Sequence, residues 1–558
     1  MTGEPARTTA AVAATNDGRA HTGGRVPLHP RVQALTQQPG VDAAFAGDLA
    51  LTTQIDRAHV VMLAERGILP PAAAARLLGA VDALRAENFA SLRERPAPRG
   101  WYLMYELFLT ERLGPDVGGQ LQLGRSRNDL TATLQQLKLR EPYLDLMWEA
   151  LRLLGTLTRT ARRHARTVMP AFTHHQPAVP ITYGHYLSGV AVALAADIEA
   201  LARVAEDLDR SPLGAGGVGG TTVPIDAART AALLGFAGAR ANSVEAVAAR
   251  DAGLRLSAAG AVLGVLLGRV ATDLSVWTTS DSALLTVPDN LTSGSSMMPQ
   301  KRNVFVLEHV AGKAAAPLGA FVTAATAMHK TPFSNSIAVH TEGMRPVEDA
   351  ARQLAQAAEL LRLVVGAAQP DAERMTARAE AGYTAATEAA NRLALDTGLG
   401  FRAAHAAVAG AVRESMANGG EPLADALARL PEAGGRTDLT ASARTVAETA
   451  EYGGGPGPRA LDDCLRTTRR RLGEQLGLLR ALRQRWNGYE PALDAAVAAV
   501  RRAGGDEGSP GSGGGRAGGG GRTERAGRCD RAGACDRADG SDRADGSTAR
   551  AFADGRTT

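Results

Sequence analysis

The chain has 558 residues, 45% of them apolar, with 62 Lys and Arg against 58 Asp and Glu and a formal charge of +4. This length supports a large core and more than one domain, and so small a charge gives no electrostatic reason to expect nucleic acid as a partner. Of the three cysteines, Cys529 and Cys535 sit in a polar tail and Cys464 stands apart, so there is no disulfide framework and a cytoplasmic location is expected.

Residues 1–35 are rich in Ala, Thr, Gly and Pro without periodicity, and read as a disordered leader with no apolar stretch of signal-peptide length. An N-terminal helical domain is expected over 36–125 and a central helical bundle domain over 126–370. Within the bundle, Leu134, Leu137, Tyr143, Met147, Leu151, Leu154 and Leu157 recur mostly at three- and four-residue spacing, which predicts one long helix from Leu130 to Ala165. The Ala-rich runs His185–Leu208, Gly253–Val276, Val304–His329 and Val347–Val365 behave likewise. Helices this long, with Ala and Leu on most faces, imply a bundle packed on several sides and against other subunits. No strand-type alternation competes with them. The most apolar window, between Arg255 and Arg269, falls short of the roughly 20 residues that span a bilayer, so no membrane is expected. A C-terminal helical domain follows over 371–503. The remainder, 504–558, repeats Gly, Arg, Asp and Ser, cannot bury enough apolar area to fold, and reads as a disordered tail whose charges largely cancel. The fold class is mainly α, built around a central bundle of long helices.

Three polar segments interrupt the helical pattern. In the first, Gly124 to Asp129 (GRSRND), Ser126, Arg127 and Asn128 stand at the start of the longest helix. Helix N-terminal N–H groups beside Arg and Asn suit a carboxylate there, although Asn and Asp are also ordinary helix caps. The second, Met169 to Pro177 (MPAFTHHQP), places Thr173, His174 and His175 before a long helix. Adjacent histidines suit proton transfer or simple capping, and no third ligand at metal-binding spacing accompanies them. The third, Gly294 to Asn303 (GSSMMPQKRN), is a Gly- and Pro-containing loop whose free backbone N–H groups, Ser295, Ser296, Lys301 and Asn303 suit an anion. A hydroxyl held beside an ammonium and backbone donors has its pKa lowered toward use as a base, while a solvated Ser-Gly loop needs no such role.

Taken in this order, the three segments resemble those of the argininosuccinate lyase branch of the aspartase/fumarase superfamily. Further likeness runs through RAHVVMLAERGIL from Arg57, GYTAATEAANRLA from Gly382, FRAAHAAVAGAV from Phe401 and YGGGPGP from Tyr452, so that roughly Asp42 to Leu479 is covered. The resemblance implies a three-domain, mainly helical subunit in a homotetramer, with each active site shared between subunits, and β-elimination of an N-substituted aspartate (argininosuccinate to arginine) with release of fumarate. It implies no cofactor and no metal.

By resemblance, Ser295 removes the Cβ proton, and His174, held by Glu308, is the acid-side group. Lys301 and Asn303 hold the carboxylate that takes up the carbanion charge. Ser126, Arg127, Asn128, Thr173, Ser296 and Thr341 bind the substrate. This division suits the chemistry, because a proton beside a carboxylate is very weakly acidic and the leaving nitrogen needs a proton as its bond breaks.

The sequence departs from the family pattern at the rim of the site. Ser336, Thr341 and Met344 stand where Tyr, Gln and Lys are typical. Thr52 and Asp56 replace an Asp and a Ser, Gln122 and Leu123 replace His-Thr, and Val304 replaces a proline. A different N-substituted aspartate is therefore an alternative substrate. A non-catalytic homologue is a further alternative, disfavoured because Ser295, His174, Lys301 and Glu308 are all present.

Overall fold

The computed structural model describes residues 27–433 and 442–505, so residues 1–26 of the expected leader, residues 506–558 of the expected tail, and with them Cys529 and Cys535, lie outside the described residues. The leader's end needs correction. Pro30–Thr36 form a helix, because proline suits the first helical position and the His29 side chain accepts the Arg31 N–H.

The N-terminal layer consists of α1 (Leu49–Glu65), α2 (Pro71–Ala86) and α3 (Trp101–Leu113). Their apolar faces share one core that includes Ile55, Val61, Leu77, Leu84, Tyr105 and Leu109. Within it His59 is 1% exposed, and its Nε2–H donates to the Leu123 carbonyl at 2.9 Å. Burial, then the nearby Arg125 cation, hold the His59 pKa well below the ordinary 6.5. The unfolded chain therefore takes a proton near pH 6.5 that the folded chain refuses. Stability is full above that pH and falls as the pH drops below it, by up to about 1.4 kcal/mol per unit until the folded pKa is reached. In urea denaturation between pH 5 and 8, His59→Gln should remove this part of the slope. An unchanged slope would mean that His59 does not produce it.

The bundle begins with α4 (Arg127–Arg163), one helix of 37 residues as the spacing predicts. After it the sequence reading fails. Where no strand was expected, β1 (Val168–Thr173) and β2 (Gln176–Thr182) form an antiparallel hairpin with Val168 opposite Thr182 and Thr173 opposite Gln176. Pro170, Pro177 and Pro180 conceal it, since proline is a poor strand signal and survives here because a two-stranded ribbon consists only of edges. The chain continues through α5 (Tyr183–Leu208) and α6 (Asp251–Trp277) to a short antiparallel pair, β3 (Ser293–Gly294) with β4 (Arg302–Asn303). The expected run Val304–His329 is two helices, α7 (Phe305–Ala314) and α8 (Ala316–His329), divided at Ala315 just before Pro317, where a helix can start afresh. Then α9 (Val347–Ala367) packs along α4.

Residues 371–503 were expected as one C-terminal domain, and the packing divides them differently. Helices α10 (Ala386–Thr397) and α11 (Phe401–Ala417) have their own small core around Leu393, Val408 and Leu427. By contrast α12 (Pro458–Asn487) contributes Leu461, Leu465, Leu479, Leu482 and Trp486 to the bundle core. The Arg140 guanidinium of α4 lies 3.9 Å from the Phe236 ring centroid and 5.2 Å from that of Trp486. Finally α13 (Glu490–Ala503) places Leu493, Val497 and Val500 in the N-terminal core. Amphipathic spacing shows which face a helix buries but not which partner covers it.

Several apolar side chains on the bundle face outward, among them Val262, Val265 and Val276 on α6 and Leu318 and Val322 on α8. The expectation that no apolar stretch matches a bilayer also needs correction. Among the described residues, Asp251–Trp277, and Phe305–His329 taken across its break at Ala315, are long and apolar enough to cross one by length and composition, the first because its helix continues past Arg255 and Arg269, which bounded the window read from sequence.

Candidate active site

The first polar segment forms the N-terminus of α4. Ser126 is its cap, accepting the Asn128 N–H at 3.2 Å, while Asp129 Oδ1 accepts the Ser126 N–H at 2.9 Å, the reciprocal arrangement of a capping box. The other Asp129 oxygen accepts the N–H groups of Gly214 (2.9 Å) and Gly216 (3.0 Å), tying a glycine loop to the helix start. Asp129 is thus a buried bracket, and Ser126, expected to bind substrate, already serves as the cap. Arg127 is exposed and Asn128 half-buried.

Beneath this helix end Arg125 is wholly buried and donates to Asp56 at 2.5 Å and to the Tyr102 hydroxyl at 3.1 Å, while Tyr105 donates to Asp56 at 2.8 Å. Burial raises the Asp56 pKa and the adjacent guanidinium opposes the rise. Asp56, one of the departures from the family pattern, is therefore committed to an internal ion pair. Gln122, another departure, donates to the Tyr102 hydroxyl at 2.7 Å.

The second segment is the tip of the β1–β2 hairpin. His174 (φ 52°) and His175 (φ 64°) both occupy the left-handed region, as a two-residue turn matching the strand twist requires, and both side chains are exposed, as is Thr173. Glycine or asparagine takes these positions with least strain, so two histidines here cost on the order of 1 kcal/mol each. Strain of this kind persists where the side chain has a use. Phe172 and Tyr186 pack on Trp277 with ring centroids at 6.5 and 4.7 Å, which seats the hairpin at the α6 C-terminus.

In the third segment the β3–β4 pair pinches a loop from Ser295 to Lys301. Ser295 Oγ accepts the N–H groups of Met297 (3.3 Å) and Met298 (3.1 Å), and two donors on one hydroxyl oxygen favour its anionic form. Ser296 and Lys301 are exposed and Asn303 half-buried, and Arg302 is held by the Asp289 carboxylate. Glu308 is exposed on the first turn of α7, for which Val304, in place of the family's proline, is the cap residue.

One chain does not bring Asn128 and His174 together. The 37 residues of α4 span about 55 Å. Asn128 lies at its start, and the hairpin base is pinned to its end by Tyr183 N–H donating to Thr167 O (2.8 Å) and Gly184 N–H to His164 O (3.0 Å). A six-residue strand reaches about 20 Å, so His174 remains more than about 20 Å from Asn128 whichever way the hairpin points. Among the described residues no hydrogen bond joins any of the three segments to another, and Glu308 has no bond to His174.

A fourth stretch, 330–346, does meet the first. Asn335, which the sequence reading did not single out, donates from Nδ2 to Asn128 Oδ1 at 3.0 Å. A lone asparagine in a loop carries no signal for this, because the pairing bridges 207 residues. Thr341 lines a cavity of about 430 Å³ with Thr131, Gln135, Lys138, His340 and Glu348, its hydroxyl 2.9 Å from His340 Nδ1. Ser336 is half-buried, and its carbonyl accepts the Val339 and His340 N–H groups. Met344 is buried at the point where a side chain on Gly253 would meet its sulfur, a packing role. A larger cavity of about 590 Å³, beside Asp48, Lys138 and Trp486, contains none of the expected site residues.

Comparison with known proteins agrees with the fold. Residues 62–319 match the Lyase family model. An argininosuccinate lyase of Anaeromyxobacter dehalogenans (strain 2CP-C) is 37% identical over 453 residues, covering 80% of this chain and 95% of that protein. The solved structure of an EDDS lyase in complex with formate superposes with a TM-score of 0.75 at 27% identity, over 86% of this chain and 97% of that one. A class II fumarase from Schistosoma mansoni shares the fold at 15% identity, with a TM-score of 0.57 over 68% of this chain and 86% of its own. The chain belongs to the argininosuccinate lyase family of the aspartase/fumarase superfamily and is a carbon–nitrogen lyase.

Proposed function

We propose that the protein cleaves the carbon–nitrogen bond of argininosuccinate, releasing fumarate and arginine, in a site assembled from different chains of a homotetramer. Ser295 takes the Cβ proton and Lys301 and Asn303 hold the carboxylate that receives the carbanion charge. His174, oriented by Glu308, protonates the departing nitrogen. Arg127, Asn128, Thr173, Ser296 and Thr341 hold the substrate, with Ser126 keeping the helix end in place. The reading is supported most directly by the Ser295 oxygen, which accepts two amide N–H groups in a loop that also carries an exposed lysine. Sharing between chains is supported by the length of α4, which separates Asn128 from His174 within one chain, and by the outward valines and leucine of α6 and α8, which subunit contacts would bury. A cytoplasmic location and independence of membranes go with this role.

One set of observations favours a different amine. Ser336, Thr341 and Met344 supply neither the cation nor the phenol typical of the family, and Met344 is spent on packing. A guanidinium group left without acceptors loses about 1–3 kcal/mol for each unpaired polar group. A different N-substituted aspartate is thus the second reading. Purified protein given argininosuccinate should generate fumarate, followed by its ultraviolet absorbance. No fumarate at high enzyme concentration would exclude that substrate, and a positive amine in a screen of fumarate-plus-amine condensation would identify the second reading's substrate.

A further inference from the structure

We propose that Asn335 is a positioning residue that decides which way the Asn128 amide faces. The inference rests on the lyase reading, in which Asn128 meets a substrate carboxylate. Asn128 occupies the second helical position of α4, beside the exposed Arg127, where helix N–H groups and the guanidinium favour an anion. A primary amide there has two faces: its NH2 attracts a carboxylate and its carbonyl repels one. The Nδ2 of Asn335 donates to the Asn128 carbonyl oxygen at 3.0 Å, which engages that oxygen and leaves the Asn128 NH2 without an acceptor among the described residues. The amide is therefore turned with its donors toward the anion site.

Asn335 can act this way because its own backbone is fixed on both sides. Ser334 N–H donates to Pro332 O at 2.7 Å, and the Ser336 carbonyl accepts the Val339 (3.1 Å) and His340 (3.0 Å) N–H groups. The same stretch carries Thr341 into the neighbouring cavity, so that one segment both orients the carboxylate-binding amide and lines that cavity.

The chemistry predicts an unusual order of severity. Asn335→Ala removes the donor and lets the Asn128 amide sample both orientations. Asn335→Asp, nearly identical in shape, puts a carboxylate oxygen against the Asn128 oxygen. The amide then turns its NH2 inward and presents its carbonyl to the substrate. The aspartate variant should therefore be the worse of the two, although it changes the side-chain volume less.

The test uses the full chain, with isothermal titration of fumarate and steady-state kinetics on whichever N-substituted aspartate the wild type turns over. Asn335→Asp should raise the fumarate Kd and the substrate KM together by about tenfold or more, with kcat affected less, and Asn335→Ala should raise them by about threefold. Thermal midpoints close to that of the wild type would show that neither effect is a loss of folding. Fumarate binding by the aspartate variant equal to or tighter than that of the alanine variant would overturn the inference and leave the lyase reading standing. A wild type that neither binds nor releases fumarate would overturn both.

Discussion

Replacement of Ser295 by alanine is expected to lower the rate of fumarate formation by at least about a thousandfold, while the protein stays folded and still binds fumarate. Ser295 lies in the loop pinched between β3 and β4, and among the described residues its oxygen bonds only to the Met297 and Met298 amides of that loop, so removing it opens no core cavity. On the proposed roles the loss falls on kcat, because the hydroxyl would be required in its anionic form only as the Cβ proton moves, whereas the carboxylate groups assigned to Arg127, Asn128 and Lys301 are charged before and after. Single-turnover measurement of fumarate absorbance, with fumarate titration of the same variant, separates the two effects. Activity within about tenfold of the wild type would remove Ser295 from the role of base.

The second large effect concerns the scaffold. Gly184→Ala is expected to destabilise the protein by about 3 kcal/mol or more, enough to lower its yield and its denaturation midpoint together. Gly184 opens α5 where that helix meets the end of α4. A methyl group there would lie 2.3 Å from the Ala161 carbonyl oxygen, 2.8 Å from that of His164 and 2.9 Å from the Ala165 Cα. All three are backbone atoms that cannot rotate away, and relieving the clash breaks the bond from Gly184 N–H to His164 O that seats the hairpin. Because the hairpin carries His174, a partly stable variant should lose activity in excess of its loss of folded protein. Urea denaturation of Gly184→Ala gives the first quantity, and a midpoint equal to that of the wild type would show that the junction has room to spare.

How much of this was legible depended on the kind of signal. Three- and four-residue spacing located α4 to within three residues at each end, because a two-sided apolar helix repeats its pattern over ten turns. It did not locate the hairpin, whose thirteen strand residues include three prolines that read as turn chemistry. Nor did it show that α12 and α13 return to the two larger cores, since periodicity is silent about partners. At the site, the polar character of GRSRND and GSSMMPQKRN could be read directly, as could capping as the other use of the first, but not that Ser126 is the cap with Asp129 closing its box or that Asp56 is committed to Arg125. Asn335 was invisible for a similar reason: its function depends on a partner 207 residues away. The expectation of a site shared between chains came from resemblance at the sequence level, and the proposal gains a physical argument from the length of α4.

That length makes the decisive measurement a mixing experiment. Asn128→Asp and His174→Ala are each made inactive, then the two chains are unfolded together and refolded at equal amounts, and fumarate release is compared with that of each variant refolded alone. If every site takes Asn128 from one chain and His174 from another, about one quarter of the sites in the mixture regain both native residues, and activity should recover to about that fraction of the wild type. Recovery no greater than the average of the two separate variants, in a mixture shown to contain mixed oligomers, would contradict a site shared between chains.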